Sequence, residues 1–210
     1  MARGRKEAFS FRDLTMGLVM IVNDRNLPIA KTMFEYKPTD NAILAVGYID
    51  HTAGITFEVL CLGEYRTTGG ISLSRGECTA SFKIRYDGVD GIIVLLDDAC
   101  LPEFQDKIDM IRNGYQVNEA IQKSRNSAAF DDFRHPQFPD DVMLYFCKEK
   151  GGIEGIWCRI ETEIDGLPAA RMMNEPNADF GVHRGDIVKF EWTQNEGKMI
   201  GIAVLPWMEK

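Results

Sequence analysis

One stretch constrains the fold more than any other: Asn174-Glu-Pro-Asn-Ala-Asp-Phe-Gly-Val-His-Arg-Gly-Asp-Ile-Val-Lys-Phe-Glu-Trp192. It joins a turn-forming Asn-Glu-Pro-Asn to a second turn at Arg184-Gly-Asp186 and then to an alternating run. Pro176 fixes φ and removes a backbone donor, so the chain must leave any sheet there. Asn174 and Asn177 can bond nearby backbone groups, and Gly181 and Gly185 admit a positive φ. From Ile187 onward the alternation puts Val188, Phe190 and Trp192 on one face, the expected core, and Ile187, Lys189 and Glu191 on the other.

The rest of the last third follows the same grammar. Val142–Lys148 and Gly155–Glu163 surround Glu149-Lys-Gly-Gly152, and Ala169–Met173 follows an Asp165-Gly166 turn. Asp186–Thr193 and Lys198–Leu205 flank Gln194-Asn-Glu-Gly197. Five short strands with tight turns predict a small SH3-like β-barrel-type domain over residues 138–210. Within it, either Trp157 fills the interior with Cys158 turned outward, or the converse holds.

Residues 1–100 predict a β-rich N-terminal domain. Candidate strands are Leu14–Val22, Ile29–Tyr36, Ile43–Asp50, Ile55–Leu62, Thr79–Tyr86 and Val89–Leu96. Asp87-Gly88 between the last two is the strongest short hairpin signal in the chain, and His51-Thr-Ala-Gly54 is a second. Residues 101–137 predict a helical segment and connector. Phe104, Ile108, Ile111 and Tyr115 recur at helical spacing after Pro102. A second helix over Gln116–Arg125, or one helix interrupted by Gly114, continues it, and residues 126–139 read as the connector. The fold class is α+β.

Charge bounds the partners. Lys and Arg number 24 against 32 Asp and Glu, a net −8, and residues 138–210 alone carry 8 basic and 13 acidic side chains. Such a surface repels phosphate backbones, so no nucleic acid is expected, and Arg3, Arg5 and Lys6 read as a solubilising terminus. Cys61, Cys78, Cys100, Cys147 and Cys158 make an odd count without a C-x-x-C pair, which reads as reduced thiols in a cytoplasmic protein. The apolar run Leu14–Val22 is too short to cross a bilayer, so no membrane partner is expected.

Residues from about Phe133 onward resemble an uncharacterised bacterial family, domain of unknown function 2314. The resemblance rests on Glu154-Gly-Ile-Trp157, Asn174-Glu-Pro176, and Gly185-Asp-Ile-Val188 with Pro206-Trp207, after Arg134-His-Pro-Gln-Phe-Pro-Asp-Asp141. Members of that family end on an acidic residue before the last Trp, where this chain has Pro206. The resemblance implies no reaction, cofactor or metal.

The candidate binding residues are His135, Asp140, Asp141, Trp157, Asn174, Glu175, His183 and Asp186. The imidazoles and carboxylates among them suit a divalent cation, but their spacing equally describes turns with capping carboxylates. Asp97-Asp98 could serve as an acid or ligand pair, or as helix caps before Pro102. Thr67–Gly76 is glycine-rich but lacks a phosphate loop's lysine and reads as a mobile surface loop. No nucleophile elbow occurs. Aromatic crowding at Phe130, Phe133, Phe138, Tyr145 and Phe146 reads as core closure between two halves or as a groove for a partner. The favoured expectation is a non-catalytic, cytoplasmic protein-interaction module, an immunity or accessory protein, binding a partner with a basic surface. The alternatives are a metal-dependent hydrolase and a small-ligand-binding protein with its site between the halves.

Overall fold

The computed structural model describes residues 1–15, 17–68, 70–76, 81–96 and 101–208. The chain divides into two units, Met1–Gln116 and Val117–Lys210. The architecture is mixed α+β and rich in strands.

The first unit is built on a seven-stranded sheet. Its strands are β1 (Arg3–Gly4), β2 (Leu18–Val22), β3 (Ala42–Asp50), β4 (Gly54–Tyr65), β5 (Ile71–Ser74), β6 (Lys83–Arg85) and β7 (Ile92–Leu96). The order is β1-β7-β2-β3-β4-β5, with β6 also paired to β4, and every pairing is antiparallel. Gly54, at φ 75°, turns β3 back into β4.

Both faces of this sheet are covered, which explains why β2 reads Leu-Val-Met-Ile-Val with all five residues buried. On one face Val19, Ile21, Ile43, Ala45 and Phe57 pack with Leu14 of α1 (Phe11–Thr15), Ala30 of α2 (Leu27–Ala30) and Phe34. On the other, Met20, Leu44, Val46 and Val94 pack with Ile108 and Ile111 of α3 (Gln105–Gly114). Each of the Val, Leu, Ile, Met and Phe side chains among them, fully buried, contributes about 1.5–3 kcal/mol. Gly47 permits the closest approach in this unit, because a Cβ there would run into the Leu14 carbonyl oxygen.

Three expectations for this unit are corrected. Ile29–Tyr36 is a helical turn and loop, not a strand. Pro28 opens α2, and the buried residues, Ala30 and Phe34, stand four apart while Ile29 and Met33 are exposed. Asp87-Gly88 is no hairpin: β6 pairs with β4, and β7 with β1 and β2. The segment Tyr86–Gly88 forms a 3-10 turn whose carbonyls are taken by Lys6, Arg25 and Asn26. The Thr67–Gly76 loop contains strand β5, where Ile71-Ser-Leu-Ser74 alternates along the edge of β4.

The second unit is a closed barrel. Its strands are β8 (Asp141–Cys147), β9 (Ile153–Ile164), β10 (Leu167–Met172), β11 (Ile187–Asn195) and β12 (Lys198–Ala203). Consecutive strands are antiparallel. Five alternating strands leave the first and last pointing the same way, so the closing pair is parallel, at Gly201↔Leu144 and Ile202↔Tyr145. Two hairpins use adjacent positive-φ residues, Asp165 at 54° with Gly166 at 80° and Glu196 at 49° with Gly197 at 83°. Such pairs match the right-handed twist of the strands they join.

Val142, Leu144, Phe146, Ile156, Cys158, Ile160, Val188 and Phe190 fill the barrel. Cys158 points inward, so Trp157 is on the outer face. The expected placement of Trp192 in the core is corrected. It lies within β11 opposite Gly201, 40 % exposed, with one edge against Phe130 at 4.9 Å between centroids. Residues 126–139 also do more than connect. After α4 (Glu119–Asn126), capped by the Asn118 side chain, a 3-10 helix at Ala128–Phe133 buries Phe130 and Phe133 against Phe190. Gly201 makes room for Phe133: a Cβ there would stand 2.5 Å from Leu144 and 3.0 Å from Phe133.

Candidate functional site

The eight residues singled out from the sequence fall into two groups on the second unit. Asp140 and Asp141 sit at the start of β8 and are held by arginines. Arg125 from α4 donates to both oxygens of Asp140 at 2.9 and 2.7 Å, and Arg159 from β9 donates to both oxygens of Asp141 at 2.6 and 2.9 Å. These bidentate pairs occupy the lone pairs a metal would need. His135 stands beside them. Its Nδ1 accepts from the Gln137 and Phe138 amides, and its ring lies edge-on to Phe138 and Trp157 at 5.1 and 5.0 Å. Burial lowers the His135 pKa, partly opposed by Asp141. The neutral ring is therefore favoured, as an Nδ1 acceptor requires.

Asn174, Glu175, His183 and Asp186 lie in the β10–β11 loop, which ties itself down. One oxygen of Glu175 meets His183 Nδ1 at 2.8 Å while the other accepts from the Arg184 amide. Asp186 accepts from the His183 amide, and Glu154 on β9 accepts from the Asn177 and Ala178 amides. Gly181 at φ 74° and Gly185 at φ 94° provide the bends that other residues rarely adopt. The contact with Glu175 raises the His183 pKa and lowers that of Glu175. Among the described residues no three His, Cys, Asp or Glu side chains are placed to hold a metal ion.

Between these groups the outer face of β8 and β9 carries an apolar row. Cross-strand partners Cys147↔Ile153, Tyr145↔Gly155 and Met143↔Trp157 set Ile153, Tyr145, Met143 and Trp157 along it. Gly155 bares the backbone in the middle, with the Met143 sulfur and the Tyr145 ring at its edge. Ile153 is 71 % exposed.

The sequence reading missed a polar cluster in the first unit. Tyr48 on β3 stacks on Tyr115, just past α3, with ring centroids 4.3 Å apart. Lys83 on β6 donates to the Tyr115 hydroxyl at 3.0 Å. Glu58 on β4 meets Lys107 of α3 at 3.4 Å, and Arg85 meets Asp50 at 3.2 Å. Burial first, and then the neighbouring Tyr115, push the Tyr48 phenol far above its ordinary pKa, whereas the Lys83 hydrogen bond lowers that of Tyr115. Alternation on β6 could have hinted that Lys83 and Arg85 share a face, but nothing in the sequence links them to Tyr115.

Burial disfavours the thiolate form of the two buried thiols. Burial pushes Cys61 up to about 12 and raises Cys158 further. Asp97, Asp98, Cys78 and Cys100 lie outside the described residues. No helix among the described residues is long and apolar enough to cross a membrane. No family model, no curated protein and no solved structure matches the chain.

Proposed function

We propose that the second unit is a non-catalytic protein-interaction module of a bacterial cytoplasmic protein. Its partner is a protein with a basic rim around an apolar contact. The observation that carries this reading is the outward row Ile153–Tyr145–Met143–Trp157 with the bare Gly155 at its centre. Apolar and aromatic residues at the middle of an exposed strand pair are the composition of an interface core. Charge supports the choice of partner. The unit holds 11 Lys and Arg against 16 Asp and Glu. Four of its five arginines are spent on internal carboxylates, through Asp140, Asp141, Glu161 and Asp131. The surplus that faces solvent is acidic, which steers a basic partner and makes association sensitive to salt.

In this reading the barrel plays the part of an SH3-like module: a five-stranded support that carries an apolar row on its outer face. The likeness to domain of unknown function 2314 rests on the motifs quoted above and belongs to the same proposal. Of the carboxylates chosen for the hydrolase alternative, Asp140 and Asp141 are bound to arginine, while Asp97 and Asp98 lie outside the described residues. The test is cross-linking of the full chain in low and high salt, comparing wild type with Tyr145→Lys and Ile153→Asp. A partner lost equally in both variants and weakened by salt supports the reading. A wild-type pattern that neither the substitutions nor salt alter refutes it. Binding then follows by tryptophan fluorescence with basic, aromatic peptides as probes.

A further inference from the structure

The polar cluster of the first unit is chemically unlike the rest of the protein. Its two tyrosines are neighbours placed in opposite environments. Tyr48 is 6 % exposed. Its hydroxyl is sealed from water and makes no hydrogen bond, while the Tyr115 ring packs beside its own at 4.3 Å. Tyr115 is only half-buried, at the end of α3, where its amide donates to the Ile111 carbonyl and fixes the residue's position. Lys83 reaches its oxygen at 3.0 Å and lies over the same ring at 5.6 Å.

We propose that Tyr115 is a nucleophilic tyrosine, a modification site that takes a small activated acyl group on its phenolic oxygen, with Lys83 holding that oxygen and the Tyr48 ring packed beside it. A buried polar atom without a partner costs about 1–3 kcal/mol. A phenolate at Tyr115 would give the Tyr48 hydroxyl an acceptor and Lys83 a full counter-charge. Pairs of like groups pushed apart by their surroundings divide the roles of proton donor and base between them. Burial raises the Tyr48 pKa, while the Lys83 hydrogen bond lowers that of Tyr115.

The charges facing the pair come from every element around it. Asp50 lies on β3, Glu58 on β4, Lys83 and Arg85 on β6, and Lys107 on α3. The two carboxylates each have a cation of their own, Arg85 for Asp50 and Lys107 for Glu58. Lys83 is directed at the phenol. In the reaction the Tyr115 proton leaves to solvent and the phenolate oxygen attacks the acyl carbon. The bond from that carbon to its leaving group breaks, and the leaving group departs with the electron pair. The product is a tyrosyl ester, with no oxidant or reductant required.

N-acetylimidazole is the probe, applied to the full chain at pH 8, with acetylation of each tyrosine followed by peptide mass spectrometry. Tyr36, which is 53 % exposed, is the internal reference. Tyr115 should acetylate several-fold faster than Tyr36 despite being less exposed. Lys83→Met should remove that excess, and Tyr48→Phe should reduce it, with the Tyr36 rate unchanged as the sign that the fold persists. An ultraviolet titration of the phenols gives a second readout: one tyrosine ionises ahead of the others in wild type, and not in Lys83→Met. A Tyr115 rate no greater than that of Tyr36, or one that Lys83→Met leaves intact, overturns the proposal.

Discussion

Gly201→Ala tests the packing that closes the barrel. The new methyl would stand 2.5 Å from Leu144 Cδ2 and 3.0 and 3.2 Å from two ring carbons of Phe133. Carbon atoms at rest keep about 3.5–4.0 Å apart. Both neighbours are buried, Leu144 within the barrel and Phe133 in the 3-10 helix against it. Neither can swing into solvent, so the strain spreads into the core, and overpacking of this kind costs about 1–3 kcal/mol. At an m-value of about 1–2 kcal/mol/M, a 2 kcal/mol loss moves the urea midpoint down by roughly 1–2 M. The chain's three tryptophans, Trp157, Trp192 and Trp207, all belong to the second unit, so their fluorescence follows its unfolding alone. The decisive comparison is a cycle with Phe133→Leu, which by itself costs about 1 kcal/mol. If the methyl clashes with that ring, the double variant is more stable than the sum by at least about 0.5 kcal/mol. A Gly201→Ala protein within about 0.5 kcal/mol of wild type, or an additive cycle, would refute this account of the core.

Gly47→Ala should be harsher on the first unit, about 3 kcal/mol or more by circular dichroism, because the obstacle is the Leu14 carbonyl and not a movable side chain. His183 should titrate above its ordinary 6.5 by NMR, and Glu175→Gln should return it towards that value. The sign follows from linkage: the raised His183 favours the folded loop below pH 6.5 and loses that effect as pH rises past its folded pKa. The lowered Glu175 contributes above its ordinary 4.5 and fails as pH falls, so the two act together in mildly acidic solution. In the folded protein, iodoacetamide should modify Cys147 and spare Cys61 and Cys158; rapid labelling of Cys158 would contradict its burial.

Turn chemistry carried most of what was legible beforehand. Asp165-Gly166 and Glu196-Gly197 marked hairpins because a two-residue turn demands positive φ at both positions, a demand that local sequence expresses. The strands they join followed. Ile29–Tyr36 misled because Pro28 and a four-residue spacing were outweighed by apolar content. Asp87-Gly88 misled because tertiary partners, Lys6, Arg25 and Asn26, capture its carbonyls and send the flanking strands to different neighbours. Residues such as Asp140 and Asp141 looked chemically available because nothing local announced Arg125 and Arg159. The tyrosine pair was invisible for the same reason: Tyr48, Lys83 and Tyr115 meet only through the sheet and α3.

The parallel pairing of β12 with β8 has a kinetic consequence. Leu144 must wait for Gly201, 57 positions later, before the ring of strands is complete. Every other junction in the ring joins strands that are neighbours in sequence, but this last stitch requires the largest loop to close first. Until that pairing forms, β8 and β12 each lack one neighbour of the ring.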